Sequence, residues 1–482
     1  MPHGLKDSEI QKLQDLFAAN EHVEQVILYG SRAKGTHKPF SDVDITLVGE
    51  NLTDADLKKL SLAIDDLLLP YIFDISLFST LKNDDLIDHI RRNGITLHQK
   101  KIEWKEYKLG DVAEIVGGGT PSTTNKDYWD GDIPWLSPRD LTGYNRVYIE
   151  KGARNITREG LKNSSTRLLP TGTVLFSSRA PIGYVAIAQN EICTNQGFKS
   201  LVCNPDKLWN VFAYYWLRAN TEYLQSLGTG TTFAEISGSV MKSIAVSLPP
   251  LSEQKRIASI LSSLDDKIDL LHRENATLEA MAETLFCHHF IENPNPNWKN
   301  VSLTQVATFT NGLACQKYPP KNEVEKLPVL KIRELSNGIG NDSDWATTDV
   351  GSEYVVHAGD VIFAWSASLM VKIWDGEDCI LNQHLFKVTS EKYPKWFYYF
   401  WCKHHLNEFI SIAQSHATTM GHIKRKDLDS ARVLVPSDDE LLGYSDEISF
   451  LIQKMEVNNR AILQLTNLRS ILLQTFFNRE RE

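Results

Sequence analysis

Six positions near the start of the chain have the residue types and spacing for phosphoryl chemistry. The run Gly30-Ser31-Arg32-Ala33-Lys34-Gly35 follows the apolar stretch Val26-Ile27-Leu28-Tyr29. Glycine at such a turn lets a phosphate approach the backbone closely, and the Ser31 hydroxyl can donate to it. Ser41 then precedes Asp42 and Asp44, and Asp74 stands inside Tyr71-Ile72-Phe73-Asp74-Ile75-Ser76-Leu77. Residues two apart on a strand share a face, so Asp42 and Asp44 can hold a pair of hard divalent cations such as magnesium. Asp74 on a neighbouring strand either completes that site or takes the proton from an attacking hydroxyl, while two metals clamp the attacking and leaving oxygens of an in-line displacement. A lone Asp-x-Asp is ordinarily a solvated pair of acids; the Gly-Ser turn and the third aspartate set this one apart. The nucleotide-binding candidates are therefore Gly30, Ser31 and Ser41, and the metal and catalytic candidates Asp42, Asp44 and Asp74.

These residues need two or more strands and a tight turn to bring them together, which a small α/β domain over residues 1–100 would supply. That stretch has 16 acidic against 11 basic residues. From Trp104 onward the chain changes character and repeats itself. Trp104-Lys105 and Val112-Ala113 return as Trp298-Lys299 and Val306-Ala307, and Ile133-Pro134-Trp135-Leu136 with Arg139 as Leu327-Pro328-Val329-Leu330 with Arg333, at an offset of 194 residues. After a short deletion the offset becomes 187: Gly172-Thr173-Val174-Leu175-Phe176 pairs with Gly359-Asp360-Val361-Ile362-Phe363, Asn195-Gln196 with Asn382-Gln383, Trp209 with Trp396, and Ile236 with Ile423. Each half is β-rich and turn-rich, carries a short aromatic helical run, and ends in a long helix.

The helices have a seam. Ile257, Leu261, Leu264, Ile268, Leu271, Asn275, Leu278, Ala282 and Leu285 alternate steps of four and three, as do Tyr444, Ile448, Leu451, Met455, Asn458, Ile462, Leu465, Arg469 and Leu472. Ser437 and Glu440 have capping-box spacing at the start of the second. The expectation is an α+β multidomain protein: a nucleotidyltransferase-like domain at 1–100, a first globule at 101–250, a spacer helix at 251–291, a second globule at 292–436 and a C-terminal spacer helix at 437–482, with the two helices pairing as an antiparallel coiled coil. Two similar surfaces at a fixed separation suit the reading of two half-sites on a DNA duplex.

Direct readout of bases draws on Arg, Lys, Asn and Gln at base edges. The candidates in the first half are Arg139, Arg179, Asn195, Gln196, Lys199, Thr231 and Thr232. In the second they are Lys331, Arg333, Asn382, Gln383, His384, Thr418, Thr419, Lys424 and Arg425. Arg139 and Arg333, repeated at one offset, read equally as structural ion pairs or phosphate contacts, and Lys424-Arg425-Lys426 as a solvated face or a phosphate contact. Cys287-His288-His289 reads as a frayed helix end sooner than a metal site, because no further ligand cluster lies nearby in sequence.

Composition sets the bounds. The chain has 482 residues, 42% hydrophobic and 23% charged, with a net charge of −10. That is globular composition, and it excludes a histone-like polybasic binder; contact with nucleic acid has to come from local basic patches. No run of 18 apolar residues and no signal-like opening occur, so a cytoplasmic location with no membrane contact is expected. The six cysteines stand far apart without a Cys-x-x-Cys pair, which fits reduced thiols better than a disulfide or zinc framework.

Two resemblances follow from these residues. Over 104–482, the series Trp-Lys-x6-Val-Ala, Ile-Pro-Trp-Leu-x2-Arg-Asp-Leu, Gly-x-Val-Leu-Phe-Ser, Thr-Asn-Gln, Gly-Thr-Gly-Thr-Thr-Phe and Pro-Pro-Leu-x-Glu-Gln-Lys-Arg-Ile-Ala resembles the specificity subunit of type I restriction-modification systems. The first half matches more closely; in the second, Pro250-Leu251-Ser252-Glu253-Gln254 has become Ser437-Asp438-Asp439-Glu440-Leu441. The resemblance implies two target-recognition domains reading a split double-stranded DNA sequence, helices that act as a ruler, and docking of two methyltransferase subunits. Those subunits would carry the S-adenosylmethionine, and a restriction and translocase subunit can join them. Over 8–98, Gly-Ser-x-Ala-x-Gly, Ser-Asp-x-Asp and the later strand aspartate resemble the minimal nucleotidyltransferases of the polymerase-beta-like superfamily. That implies magnesium, a nucleoside triphosphate with ATP first in line, and transfer of a nucleotide to a hydroxyl, with a toxin or another protein as acceptor. The alternative is a nucleotidyltransferase antitoxin or regulator that adenylylates a protein and is only localised by the DNA module.

Overall fold

The computed structural model describes residues 3–49, 51–100, 102–144, 146–230, 234–340, 342–415 and 421–477. Thr231, Thr232, Thr418 and Thr419 lie outside the described residues. The chain divides into two compact units, residues 1–105 and 106–482.

In the first unit the order is α1 (Asp7–Ala18), β1 (Gln25–Leu28), α2 (Gly30–Ala33), β2 (Val43–Val48), α3 (Asp54–Asp65), β3 (Phe73–Leu77), α4 (Asp84–Asn93) and β4 (Ile95–Gln99). The sheet order is β3-β2-β1-β4, with β1 antiparallel to both neighbours and β2 parallel to β3. Along β2 the residues Val43, Ile45 and Leu47 are buried among Leu13 and Phe17 of α1 and Leu60 and Ile64 of α3. Asp44, between them, belongs to the opposite face. A reciprocal Thr53–Asp56 cap starts α3, and the Asn83 side chain accepts the Leu86 N–H at 3.2 Å to start α4.

The second unit is a duplicated α+β globule. In the first half the strands Ala113–Gly117, Lys199–Cys203, Val174–Ser178 and Ile182–Ala188 lie side by side in that order; in the second, Thr308–Asn311, Leu385–Thr389, Val361–Ala364 and Met370–Ile373 do the same. A smaller sheet repeats as well. Trp129–Leu136 runs parallel to Cys193–Thr194, and Lys326–Leu330 parallel to Cys379–Leu381. Aromatic helices follow at Asn210–Ala219 and Lys395–His404.

Each half ends in a long helix. The central helix, Leu251–Phe286, has 36 residues and the C-terminal helix, Asp438–Phe477, has 40, or ~54 and ~60 Å at 1.5 Å per residue. They run antiparallel. Asp265 on the central helix pairs with Arg469, and ten residues further along it Asn275 meets Asn459 and accepts the Asn458 side-chain N–H at 3.0 Å. Ile257, Leu261, Ile268, Leu271 and Ala282 are buried along one helix and Ile448, Leu451, Met455 and Asn458 along the other. Leu264, Asn275, Leu278 and Leu285 of the expected seam are half-buried, and Asp265, outside it, is buried. The Ser437–Glu440 capping box forms, with the Ser437 hydroxyl donating to Glu440 at 2.7 Å. Cys287–Glu292 does not fray as expected. It continues the central helix in a π turn, because Phe290 is buried against Phe286, Trp298 and Phe397.

Candidate functional site

The acid cluster of the first unit is built by strand register. Asp44 and Asp74 are direct partners across the parallel β2–β3 pair. Asp42 lies one residue ahead of β2 instead of on it, where the Val43 N–H donates to the Ile72 carbonyl at 2.8 Å. Burial first, then the charges of Asp74 and Asp42, push the Asp44 carboxyl above its usual range, while Arg32 pulls the other way. Asp44 therefore lies within electrostatic reach of both other acids. Among the described residues no group of three His, Cys, Asp or Glu side chains is gathered tightly enough to form a ready-made metal cage; Asp42 and Asp74 are exposed at the rim and Asp44 lies deeper.

Gly30 starts α2 at φ +72°, a left-handed conformation, and a Cβ there would overlap the Asp44 carboxylate. The glycine is thus needed twice over, for backbone and for space. Ser31 follows it at the head of the same turn. Sequence reasoning missed Arg32, which is 1% exposed. Its Nη2 donates to the Ser41 carbonyl at 2.7 Å, its Nε to the carbonyls of Ser41 and Asp42 at 3.1 Å, and its Nη1 to His3 at 3.1 Å. Tyr71 covers the guanidinium with its ring 4.8 Å away. Arg32 thereby ties the Gly-Ser turn to the Ser41-Asp42 loop. A long cation in a turn of small residues was the available signal.

In the second unit the nucleic-acid candidates sort into two classes. Some are structural. Asn382 is 4% exposed and its Oδ1 accepts the His384 N–H, so where a base contact was expected the side chain is a buried turn-former. Asn195 does the same at Gly197, 2.8 Å away. Arg333 takes the structural of its two expected readings: its guanidinium pairs with the buried Glu334 and with Asp342. Lys331 pairs with Asp344, and Gln196 accepts the Thr120 hydroxyl at 2.5 Å. Others are presented outward. Arg139 is exposed and pairs with no acid among the described residues, and Lys424 and Arg425 are exposed at the start of Arg425–Ser430. Arg179 and Lys199 converge on Glu235, at 3.4 and 3.0 Å. In the second half, His384 contacts Ser366 at 3.1 Å and Gln383 at 3.4 Å, with the Trp365 ring 6.0 Å away.

Residues 101–280 and 295–464 match the family described as "Type I restriction modification DNA specificity domain". The chain belongs to this family of type I specificity subunits. A relative from Methanocaldococcus jannaschii, the type I restriction enzyme MjaIX specificity subunit, is 31% identical over 400 residues, covering 77% of this chain and 92% of its own. The EcoR124I/EcoR124II specificity subunit of Escherichia coli is 27% identical over 184 residues, 37% of this chain and 44% of that one. Among solved structures, the type I S subunit from M. genitalium superposes with TM-score 0.46 at 15% identity, covering 78% of this chain and 96% of that one. In the first unit of this specificity subunit, residues 11–103 match the family described as "Polymerase beta, Nucleotidyltransferase". A toxin-antitoxin structure with AMP-PNP covers 20% of this chain and 76% of that one, at 21% identity and TM-score 0.18. Among the described residues no helix is long and apolar enough to cross a membrane.

Proposed function

We propose that this specificity subunit reads a split double-stranded DNA sequence with its two globules, one half-site each, and that the paired helices set the gap between them and dock two methyltransferase subunits. The duplicated sheet order on antiparallel helices carries this reading, because a pseudo-twofold protein matches half-sites of opposite orientation. The partners would bring S-adenosylmethionine, and a restriction and translocase subunit would complete the assembly in the cytoplasm. Modified-base sequencing of DNA from cells with the chain and its methyltransferase, against cells lacking the chain, tests it. A new bipartite motif methylated on both strands is expected; an assembled complex that leaves no motif would overturn it.

For the first unit the proposal is nucleotidyl transfer from a triphosphate, with ATP first in line, to a hydroxyl on a protein. Carboxylate oxygens are the donor set magnesium prefers, and a divalent cation would offset both the burial and the neighbouring Asp74 and Asp42 charges that raise Asp44. Asp42, Asp44 and Asp74 would hold it, and when bound it supplies Lewis-acid stabilisation of charge on the transferring phosphoryl group. Gly30 and Ser31 would seat the phosphates, Arg32 holds the Ser41-Asp42 loop against that turn, and Asp74 would either complete the metal set or take the proton of the attacking hydroxyl. Labelled ATP with the full chain and the proteins encoded beside it tests this: label on an acceptor is expected, lost in Asp42→Asn and Asp44→Asn while the DNA methylation motif stays unchanged. Absence of label on every such protein would sink it.

A further inference from the structure

The two halves of the second unit share a backbone frame but not the side chains it carries. Arg179 bridges Glu235 in an isolated antiparallel pair, and Ser366 bridges His422 in the same way. The adjoining hydrogen bond repeats too: the Ile236 N–H donates to the Ser178 carbonyl at 3.0 Å and the Ile423 N–H to the Trp365 carbonyl at 3.1 Å. The Asn195 turn next to this frame recurs as the Asn382 turn. Against that sameness, three corresponding positions are Arg179, Lys199 and Glu235 in one half and Ser366, Phe386 and His422 in the other. A frame kept for folding keeps its asparagine turns. Two surfaces that read different half-sites have to diverge where they touch bases.

We propose that Arg179 is the base-reading side chain of the first globule, that its target is a guanine, and that Glu235, pinned by Lys199, is the residue that positions it. This rests on the bipartite DNA reading above. One Glu235 oxygen takes an Arg179 Nη1 donor at 3.4 Å and the other takes the Lys199 ammonium at 3.0 Å. Lys199 is the more buried cation, at 15% side-chain exposure against 33% for Arg179. The lysine therefore sits behind the carboxylate and the arginine in front of it. A guanidinium has five donors in a planar fork, so one bond to Glu235 leaves the rest of the fork for guanine O6 and N7, the commonest base-specific pairing. Because Arg179 and Glu235 are cross-strand partners, the backbone fixes their approach before DNA arrives. Ordering the fork in advance removes part of the entropy that binding would otherwise cost.

The test uses the full chain assembled with its methyltransferase partner, selecting from a randomised DNA library and scoring base preference position by position at several salt concentrations. Arg179→Ala is expected to relax one guanine position of one half-site by roughly ten- to hundredfold and leave the other half-site's preferences as they were. Arg179→Lys should relax the same position, since an ammonium lacks the fork. Glu235→Gln should relax it less, with Glu235→Asp restoring part of the preference. A uniform loss of affinity with a shallower salt dependence, an unchanged motif, and rescue by lysine would mean a phosphate contact, and would overturn the assignment. If the unaltered complex selects no split motif, the bipartite reading itself falls, a result distinguishable from failure of Arg179 alone.

Discussion

Asp44 shows how a binding site is bought with stability. Its carboxyl is raised by burial and by Asp74 and Asp42, so it holds a proton more tightly in the folded chain than in the unfolded one. The destabilisation is fully present above its raised folded value and disappears as pH falls through that value toward the ordinary 3.8. Asp44→Asn should therefore raise the melting temperature of the first unit's transition near pH 7, and the gain over the unaltered chain should shrink as the solution is acidified toward pH 4. Thermal melts of the full chain across that range check it. Gly30→Ala makes the opposite case. With φ at +72° and no room beside the Asp44 carboxylate, it should destabilise the unit by more than about 1 kcal/mol and remove nucleotidyl transfer together, read by denaturant unfolding and by labelled ATP.

Among the elements, the contact between the two long helices and the first aromatic helix is the sharpest. Asp265, buried on the central helix, receives the Tyr215 hydroxyl at 2.6 Å and the Arg469 guanidinium. Removing one member of such a buried pair strands the other, a loss of about 3–5 kcal/mol, whereas replacing both by apolar groups is often neutral. Arg469→Met alone should lower the unfolding free energy by that amount, and adding Asp265→Leu together with Tyr215→Phe, which removes the hydroxyl that Asp265 accepts, should recover most of it, as read by denaturant titration. Pairings such as this were only half legible in the sequence. The repeat at offsets of 194 and 187 residues predicts two equivalent globules, and four strands of each large sheet keep the same order, because apolar alternation and glycine turns encode local geometry directly. Arg469 stood on the seam pattern, but Asp265 lay off it and was invisible until the antiparallel register fixed its partner. The repeat also misled. Asn382 stood as a base-contact candidate and Arg333 as either an ion pair or a phosphate contact, and their recurrence could not separate the two tasks; in the fold Asn382 caps its turn and Arg333 pairs with Glu334. Glu235 drew no notice for the converse reason, its counterpart being a histidine.

At the scale of the molecule, a net charge of −10 leaves no diffuse attraction for a polyanion, so recognition has to be local and geometric. In the second unit the geometry is set by where each globule grips the helix pair. The first grips near Asp265 and Arg469 through Tyr215, with Phe212 against Phe477; the second grips further along, where Tyr399 and Lys403 meet Glu279 and Lys395 meets Glu456. The polar layer of Asn275, Asn458 and Asn459 lies between these grips, and a buried polar layer of this kind penalises slippage of one helix past the other. Lengthening both helices by one seven-residue repeat beside that layer keeps the same faces in contact and moves the grips apart by ~10 Å. With base pairs spaced ~3.4 Å along DNA, the gap between half-sites should grow by about three base pairs while each half-site keeps its sequence. Motif sequencing of the lengthened chain with its methyltransferase checks this. Lengthening only one helix should instead abolish the motif, because Asp265 and Arg469 then cannot pair while Asn275 still meets Asn459.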